Sequence, residues 1–149
     1  MGQSLSQLYV HLTFGTKFRE PYIRSEIEKE LHAYIIGILR KMESPSLRVN
    51  SMPDHIHILF RLSKNYALAK VVEEVKKSSS KWMKEKGVKE FTWQIGYGAF
   101  SVSSRALHIV ESYIEHQKEH HKSKTYKSEL ESYIKESDVV EYDEKYFWT

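Results

Sequence analysis

Leu8, Val10, Leu12 and Phe14 alternate with Tyr9, His11 and Thr13, the period of a half-buried strand, which ends near Gly15-Thr16-Lys17. Beyond it the spacing turns helical. Ser25-Glu26-Ile27-Glu28 reads as a capping box, and Ile27, Leu31, Tyr34, Ile35, Ile38, Leu39 and Met42 predict a helix from about Ser25 to about Lys41. Leu47 to Ser51 reads as a short strand, Met52-Pro53-Asp54 as a turn, and His55 to Leu62 as the hairpin partner. From about Ala67 to about Lys86, Leu68, Val71, Val72, Val75, Ser79, Trp82 and Met83 share one side of a second helix. Gly96 to Ser103 alternates Phe100 and Val102 against Tyr97, Ala99 and Ser101, predicting a fourth strand. A further helix follows from about Ser104 to about Lys122.

The order strand, helix, strand, strand, helix, strand is the split βαβ, or ferredoxin-like, arrangement of an α+β fold. Its antiparallel sheet should carry two helices on one face, with the last helix an addition at the C-terminal side. At 149 residues and 40% hydrophobic content, the chain can build one core. It contains no cysteine, which excludes disulfides and thiolate metal sites and suits a reducing cytoplasm. The opening residues lack a basic region followed by an apolar stretch, and no stretch approaches ~18 consecutive apolar residues. A soluble, non-exported, cytoplasmic protein without membrane association is expected.

The net charge of +3 is divided unevenly. Glu129 to Thr149 holds seven acidic residues against Lys135 and Lys145, a local −5, which leaves +8 on Met1 to Ser128. A basic body favours a polyanion such as nucleic acid. Residues 1–125 are therefore read as the working domain and 126–149 as an acidic C-terminal extension, beginning with a short helix near Tyr126. The extension ends in Tyr142 to Thr149, a mobile or partner-bound stretch whose Tyr146, Phe147 and Trp148 are candidates for docking.

Two constellations carry chemistry. In Pro53-Asp54-His55-Ile56-His57-Ile58-Leu59-Phe60 the histidines stand two apart on a strand and point to one face. Ile56, Ile58, Phe60 and Leu62 form the opposite, core-facing row. Two imidazoles side by side can hold one divalent cation. The second constellation lies on the added helix, Tyr113-Ile114-Glu115-His116-Gln117-Lys118-Glu119-His120-His121. At ~100° per residue Tyr113, Gln117 and His120 share a stripe. Taken alone, such a tyrosine is an ordinary half-buried aromatic beside a solvated polar run.

Together these residues give the chain a resemblance to the HUH endonuclease superfamily, and within it to the single-tyrosine transposases of small bacterial insertion sequences and their REP-associated relatives. His55-Ile56-His57 matches the paired-histidine motif and Tyr113-x-x-x-Gln117 the tyrosine helix. Thr16-Lys17-Phe18-Arg19, Val49-Asn50-Ser51-Met52-Pro53-Asp54, Ser79-Ser80-Lys81-Trp82 and the run from Trp93 to Ser103 are also similar, so the likeness spans about Gln7 to Lys122. It implies a catalytic domain over 1–125, Tyr113 as nucleophile, and a magnesium or manganese ion on His55, His57 and Gln117. It also implies a single-stranded DNA substrate with hairpin ends, and a homodimer whose tyrosine helices can complete each other's histidine sites.

The chemistry is consistent with those residue types. A tyrosine hydroxyl can store the energy of a cut phosphodiester as a phosphotyrosine, ready for rejoining, while a divalent cation polarises the phosphoryl oxygen. Ligand type by itself favours manganese or zinc over magnesium. His120 and His121 compete with Gln117 as ligands, Tyr126 and Tyr133 compete with Tyr113, and His11 and His32 read as structural or exposed. Lys70, Lys77, Lys81 and Lys84 form a basic stripe on the second helix that could follow a DNA backbone, with Lys17, Arg19 and Arg48 as further candidates. Two other function classes fit the same residues. A His-rich metal-dependent phosphoesterase would use water in place of tyrosine, and a non-catalytic nucleic-acid-binding module would need no metal.

Overall fold

The computed structural model describes residues 2–139 and 141–149. A four-stranded antiparallel sheet has the order β2-β3-β1-β4, from β1 (Leu8–Gly15), β2 (Ser46–Met52), β3 (His55–Leu62) and β4 (Gly98–Val102). Helices α1 (Ser25–Lys41) and α2 (Leu68–Glu85) connect them as the sequence predicts, giving the ferredoxin-like topology. Val10, Leu12 and Phe14 of β1 and Ile56, Ile58 and Phe60 of β3 pack with Leu31, Ile35 and Leu39 of α1 and Val71, Val72, Val75 and Met83 of α2 in one core. Among the described residues no helix is long and apolar enough to cross a membrane.

The capping box does not form. Arg24 occupies the N-cap of α1 with no side-chain cap bond, which makes Ser25 the first helical residue. Glu26 and Glu28 at the start and Arg40 and Lys41 at the end still oppose the helix dipole favourably. The tyrosine helix is also not continuous. A 3-10 turn at Ser104–Ala106 leads into α3 (Leu107–Glu115), His116 departs from helical geometry at φ −95, ψ 23, and α4 (Gln117–His120) resumes beyond it.

The larger departure concerns the second face of the sheet. Strand alternation implied half-buried strands, yet Leu12 to Thr16 and His55 to Phe60 are buried on both sides. The cover comes from α3, α4 and α5 (Tyr126–Glu136), with Leu59, Val102 and Ile114 in one apolar patch and Tyr126, Leu130 and Ile134 in another. The extension is thus docked on the sheet. Phe147 and Trp148, around the short helix α6 (Glu144–Phe147), pack with Tyr126, while Tyr146 stays exposed.

Gly15 shows how closely this cover fits. It pairs with His55 across the β1–β3 ladder, and a Cβ there would stand 3.0 Å from the Tyr126 ring and 3.1 Å from the Asp54 carbonyl oxygen. Gly15→Ala should destabilise the fold by about 1–3 kcal/mol, read as a lower denaturation midpoint at unchanged m-value.

Candidate active site and its metal-binding cluster

Register sets the site first. His57 pairs with Thr13 and His55 with Gly15, so the two imidazoles emerge on the face that α3 to α5 cover. Each ring is held from behind. The Nδ1 atom of His55 lies 2.7 Å from Asp54 Oδ1, and the Nδ1 atom of His57 lies 2.8 Å from His11 Nε2. His11 Nδ1 reaches the Tyr133 hydroxyl at 3.1 Å. Outer partners of this kind fix ring orientation and leave both Nε2 atoms turned to one point.

Around that point stand three more groups. Gln117 Oε1 is 3.3 Å from His55 Nε2 and 3.1 Å from His121 Nε2. Glu129 places Oε1 3.0 Å from His57 Nε2 and 3.7 Å from His55 Nε2, and Oε2 3.1 Å from His121 Nε2. Metal bonds of ~2.0–2.2 Å set neighbouring ligand atoms roughly 3 to 4 Å apart, the spacing found here. His55, His121 and Glu129 alone offer ligand atoms all within 4.8 Å of one another. With Nδ1 against Asp54, His55 directs Nε2 at the Gln117 and Glu129 oxygens. A cation satisfies that arrangement, so the donor set fits a divalent metal.

Local structure delivers each piece. Asn50 on β2 donates from Nδ2 to the Ile114 and Glu115 carbonyls at 2.8 and 3.2 Å, capping the exposed end of α3. Gln117 Nε2 in turn reaches the Tyr113 carbonyl at 3.4 Å. Thr125 caps α5 by accepting from the Ser128 amide at 3.1 Å, and Tyr126, Glu129 and Tyr133 then fall at i, i+3 and i+7 on its inner face. The Tyr126 ring stacks on His55 at 4.0 Å and 9°, and its hydroxyl is sealed against Thr13 Oγ1 at 2.9 Å.

Tyr113 lies beside the cluster in the same chain. Its ring is 5.8 Å from that of His57 and 4.9 Å from that of His120. Unlike Tyr126 it is only half-buried, and it opens on a cleft lined by His120, Lys124, Glu129, Tyr133 and Glu136. Burial, then the neighbouring charge of Glu129 and a hydrogen bond to it, raise the phenol above its usual range. Burial opposes ionisation of Glu129, but hydrogen bonds to His121, His57 and Tyr113 outweigh it and hold the carboxyl well below the usual range. Burial depresses His57 to about 4 and His11 to about 3.

Some sequence candidates lie elsewhere. Lys70, Lys77, Lys81 and Lys84 line the solvent side of α2, whose valine face packs on the side of the sheet opposite the imidazoles. Lys70 and Lys77 pair there with Glu74 at 3.4 and 3.3 Å. Arg48 bonds to Glu111 at 3.2 Å, and Lys17 and Arg19 are exposed just beyond Gly15. His32 meets Ser51 Oγ at 2.8 Å. His11, read as structural or exposed, is buried behind His57. Glu129 and His121 went unrecognised as a pair, although Thr125 followed by Tyr126-x-x-Glu129 was a legible capped helix with a carboxylate on its apolar side.

Comparison with known proteins defines the class. Residues 4–117 match the family described as Transposase IS200 like, a span running from before β1 to Gln117, and the chain belongs to that family of DNA transposases of mobile elements. It is 26% identical over 118 residues to the ISDra2 transposase TnpA of Deinococcus radiodurans, covering 74% of this chain and 84% of that one. The fold is similar to a crystal structure of a transposase from the same organism, with TM-score 0.62, 22% identity and coverage of 78% and 96% of the two chains. It is also similar to a REP-associated tyrosine transposase bound to a REP hairpin, with TM-score 0.61, 14% identity and coverage of 81% and 72%. His121 and Glu129 lie beyond the matched residues.

The depressed histidines set a pH dependence. A His whose folded pKa is below its unfolded value costs stability as pH falls, because the unfolded chain takes the proton first. For His57 the loss begins near pH 6.5 and is complete near its folded value of about 4, on the order of 3 kcal/mol. His11 adds in the same direction, whereas His121, raised by Glu129 after burial is offset, opposes them. In EDTA, chemical denaturation should show stability falling from pH 7 to pH 4.5, before the carboxylates titrate. His57→Phe should flatten that slope.

Proposed function

We propose that this transposase cuts and rejoins single-stranded DNA at hairpin-bearing element ends through a 5′-phosphotyrosine on Tyr113. The observation that carries this reading is the convergence, within one chain, of Tyr113 with the paired imidazoles and Gln117. Residues 1–125 act as the catalytic domain, and 126–149 as an extension docked on its site. His55, His57 and Gln117 hold a divalent cation, manganese or magnesium, with Glu129 as an added anionic ligand. When bound, that ion polarises a phosphoryl oxygen of the scissile phosphate.

The remaining steps belong to the side chains. The Tyr113 oxygen attacks phosphorus in line, the phosphorus–O3′ bond breaks, and a free 3′ hydroxyl leaves as the 5′ phosphate is joined to tyrosine. Because burial and Glu129 keep the phenol protonated at neutral pH, its proton departs to solvent at the open cleft as attack proceeds, and solvent supplies the proton taken up by the leaving 3′ oxygen. Attack by a 3′ hydroxyl on the phosphotyrosine reverses the step and seals a strand. Since one chain supplies both tyrosine and imidazoles, the homodimer implied by family resemblance is not needed to complete the site. The DNA path runs past the Lys17–Arg19 turn, close to His55, in preference to the α2 lysine stripe.

Two measurements test the reading. Native protein with single-stranded hairpin DNA and manganese should give a denaturation-resistant protein–DNA adduct, absent for Tyr113→Phe while DNA binding persists. Cleavage surviving in that variant would point to a water-using phosphoesterase. Calorimetric titration with manganese should show affinity lost for His57→Ala and reduced about tenfold or more for Glu129→Gln. Equal affinity in Glu129→Gln would remove the carboxylate from the ligand set.

A further inference from the structure

Two adjacent residues just beyond β1, in the turn tied to the Pro53-Asp54 corner of this site, hold a strained backbone. Phe18 and Arg19 both adopt the left-handed region, at φ 56 and φ 57. For a bulky side chain that is an outlier maintained only where surrounding structure enforces it. Here it is enforced closely. Thr16 donates from its amide to the Asp54 carbonyl at 2.9 Å and from Oγ1 to the Glu20 carbonyl at 2.6 Å. The Lys17 amide bonds to the Thr92 carbonyl at 2.8 Å, and the Ile23 amide to the Pro53 carbonyl at 3.0 Å. These anchors tie the turn to the Pro53-Asp54 corner from which His55 emerges.

What the turn presents is an aromatic ring with one cation over it and a second cation next along the chain. Phe18 is 68% exposed, so the strained conformation does not serve to bury it. Lys17 Nζ lies 5.4 Å from its ring centre. Arg19 lies 5.3 Å over Trp148, which meets Tyr126 edge-on at 5.7 Å, and Tyr126 stacks on His55. Phe18 stands three residues past Gly15, so its backbone can be no more than about 11 Å from that of Gly15, which itself pairs with His55. An exposed ring flanked by positive charge, rigidly held beside a phosphate-handling site, is the arrangement that stacks an unpaired base while the cations meet its backbone.

We propose that the Lys17–Arg19 turn is a stacking platform for an unpaired base of the DNA strand next to the scissile phosphate, with Phe18 as the ring. This rests on the site reading above and adds how the strand is held. The left-handed backbone turns the ring outward, and the lysine now over its face is displaced to a phosphate when a base arrives. Recognition of this kind tolerates any base, because every base offers a flat face.

The test is binding in EDTA, where no cleavage intervenes, read by fluorescence anisotropy with the full chain. One probe is a hairpin with unpaired flanks of mixed sequence; the other is the same hairpin without flanks. Phe18→Ala and Phe18→Leu should each weaken the flanked probe roughly tenfold, Phe18→Trp should restore it, and binding of the unflanked hairpin should not change. Affinity of Phe18→Ala within about twofold of native on the flanked probe, or an equal loss on both probes, would overturn the platform. The covalent adduct of the native chain reports separately: if it forms while Phe18→Ala binds normally, the platform fails and the phosphotyrosine reading stands. Native protein that binds neither probe would overturn both.

Discussion

A buried carboxylate surrounded by imidazoles is what the covered face of the sheet depends on. Glu129 enters from α5 and bonds to His57 and His121, with His55 and the Tyr113 hydroxyl alongside. An unpaired charge at that depth would be expensive, and unpaired imidazole nitrogens would each carry a desolvation cost. Pairing them satisfies both. Among the described residues no buried side-chain nitrogen or oxygen lacks a partner, and on this face that is achieved by one connected network running from Asp54 through the two histidines to Tyr133.

The network explains why the extension and the domain form one packed unit around the site. Tyr126 brings a ring onto His55, Tyr133 ends the chain of hydrogen bonds behind His57, and Glu129 fills the centre. All three sit on one face of α5. The same constraint explains Gly15, since a larger residue would push Tyr126 off the imidazole it covers.

The proton arrangement behind His57 has two consistent settings. When His57 donates from Nε2 to Glu129, its Nδ1 accepts from His11 Nε2, and His11 Nδ1 accepts from the Tyr133 hydroxyl. When Nε2 gives its lone pair to a cation, its bond to Glu129 is given up, and the His57–His11 and His11–Tyr133 bonds are kept with their donors reversed. A ligand field can therefore be switched on without breaking the scaffold, which matches the general role of outer partners in fixing a metal-binding histidine.

The alternating and helical spacings determined the four strands and the two packed helices almost to the residue, because burial of one face is a local, periodic property of the chain. The histidine pair was legible for the same reason: positions two apart on a strand must share a face. Tyr113 and Gln117 were legible as a helical pair, although His116 breaks that helix between them. What only the tertiary structure decided is which distant groups meet. Thr125 and Glu129 announced a capped helix, but nothing in their spacing says that its inner face lands on His55 and His57. His11 likewise became part of the site only through the β1–β3 register and the cover above it. Contacts across more than seventy residues, such as that between His57 and Glu129, follow from packing of whole elements, and no short-range pattern encodes them.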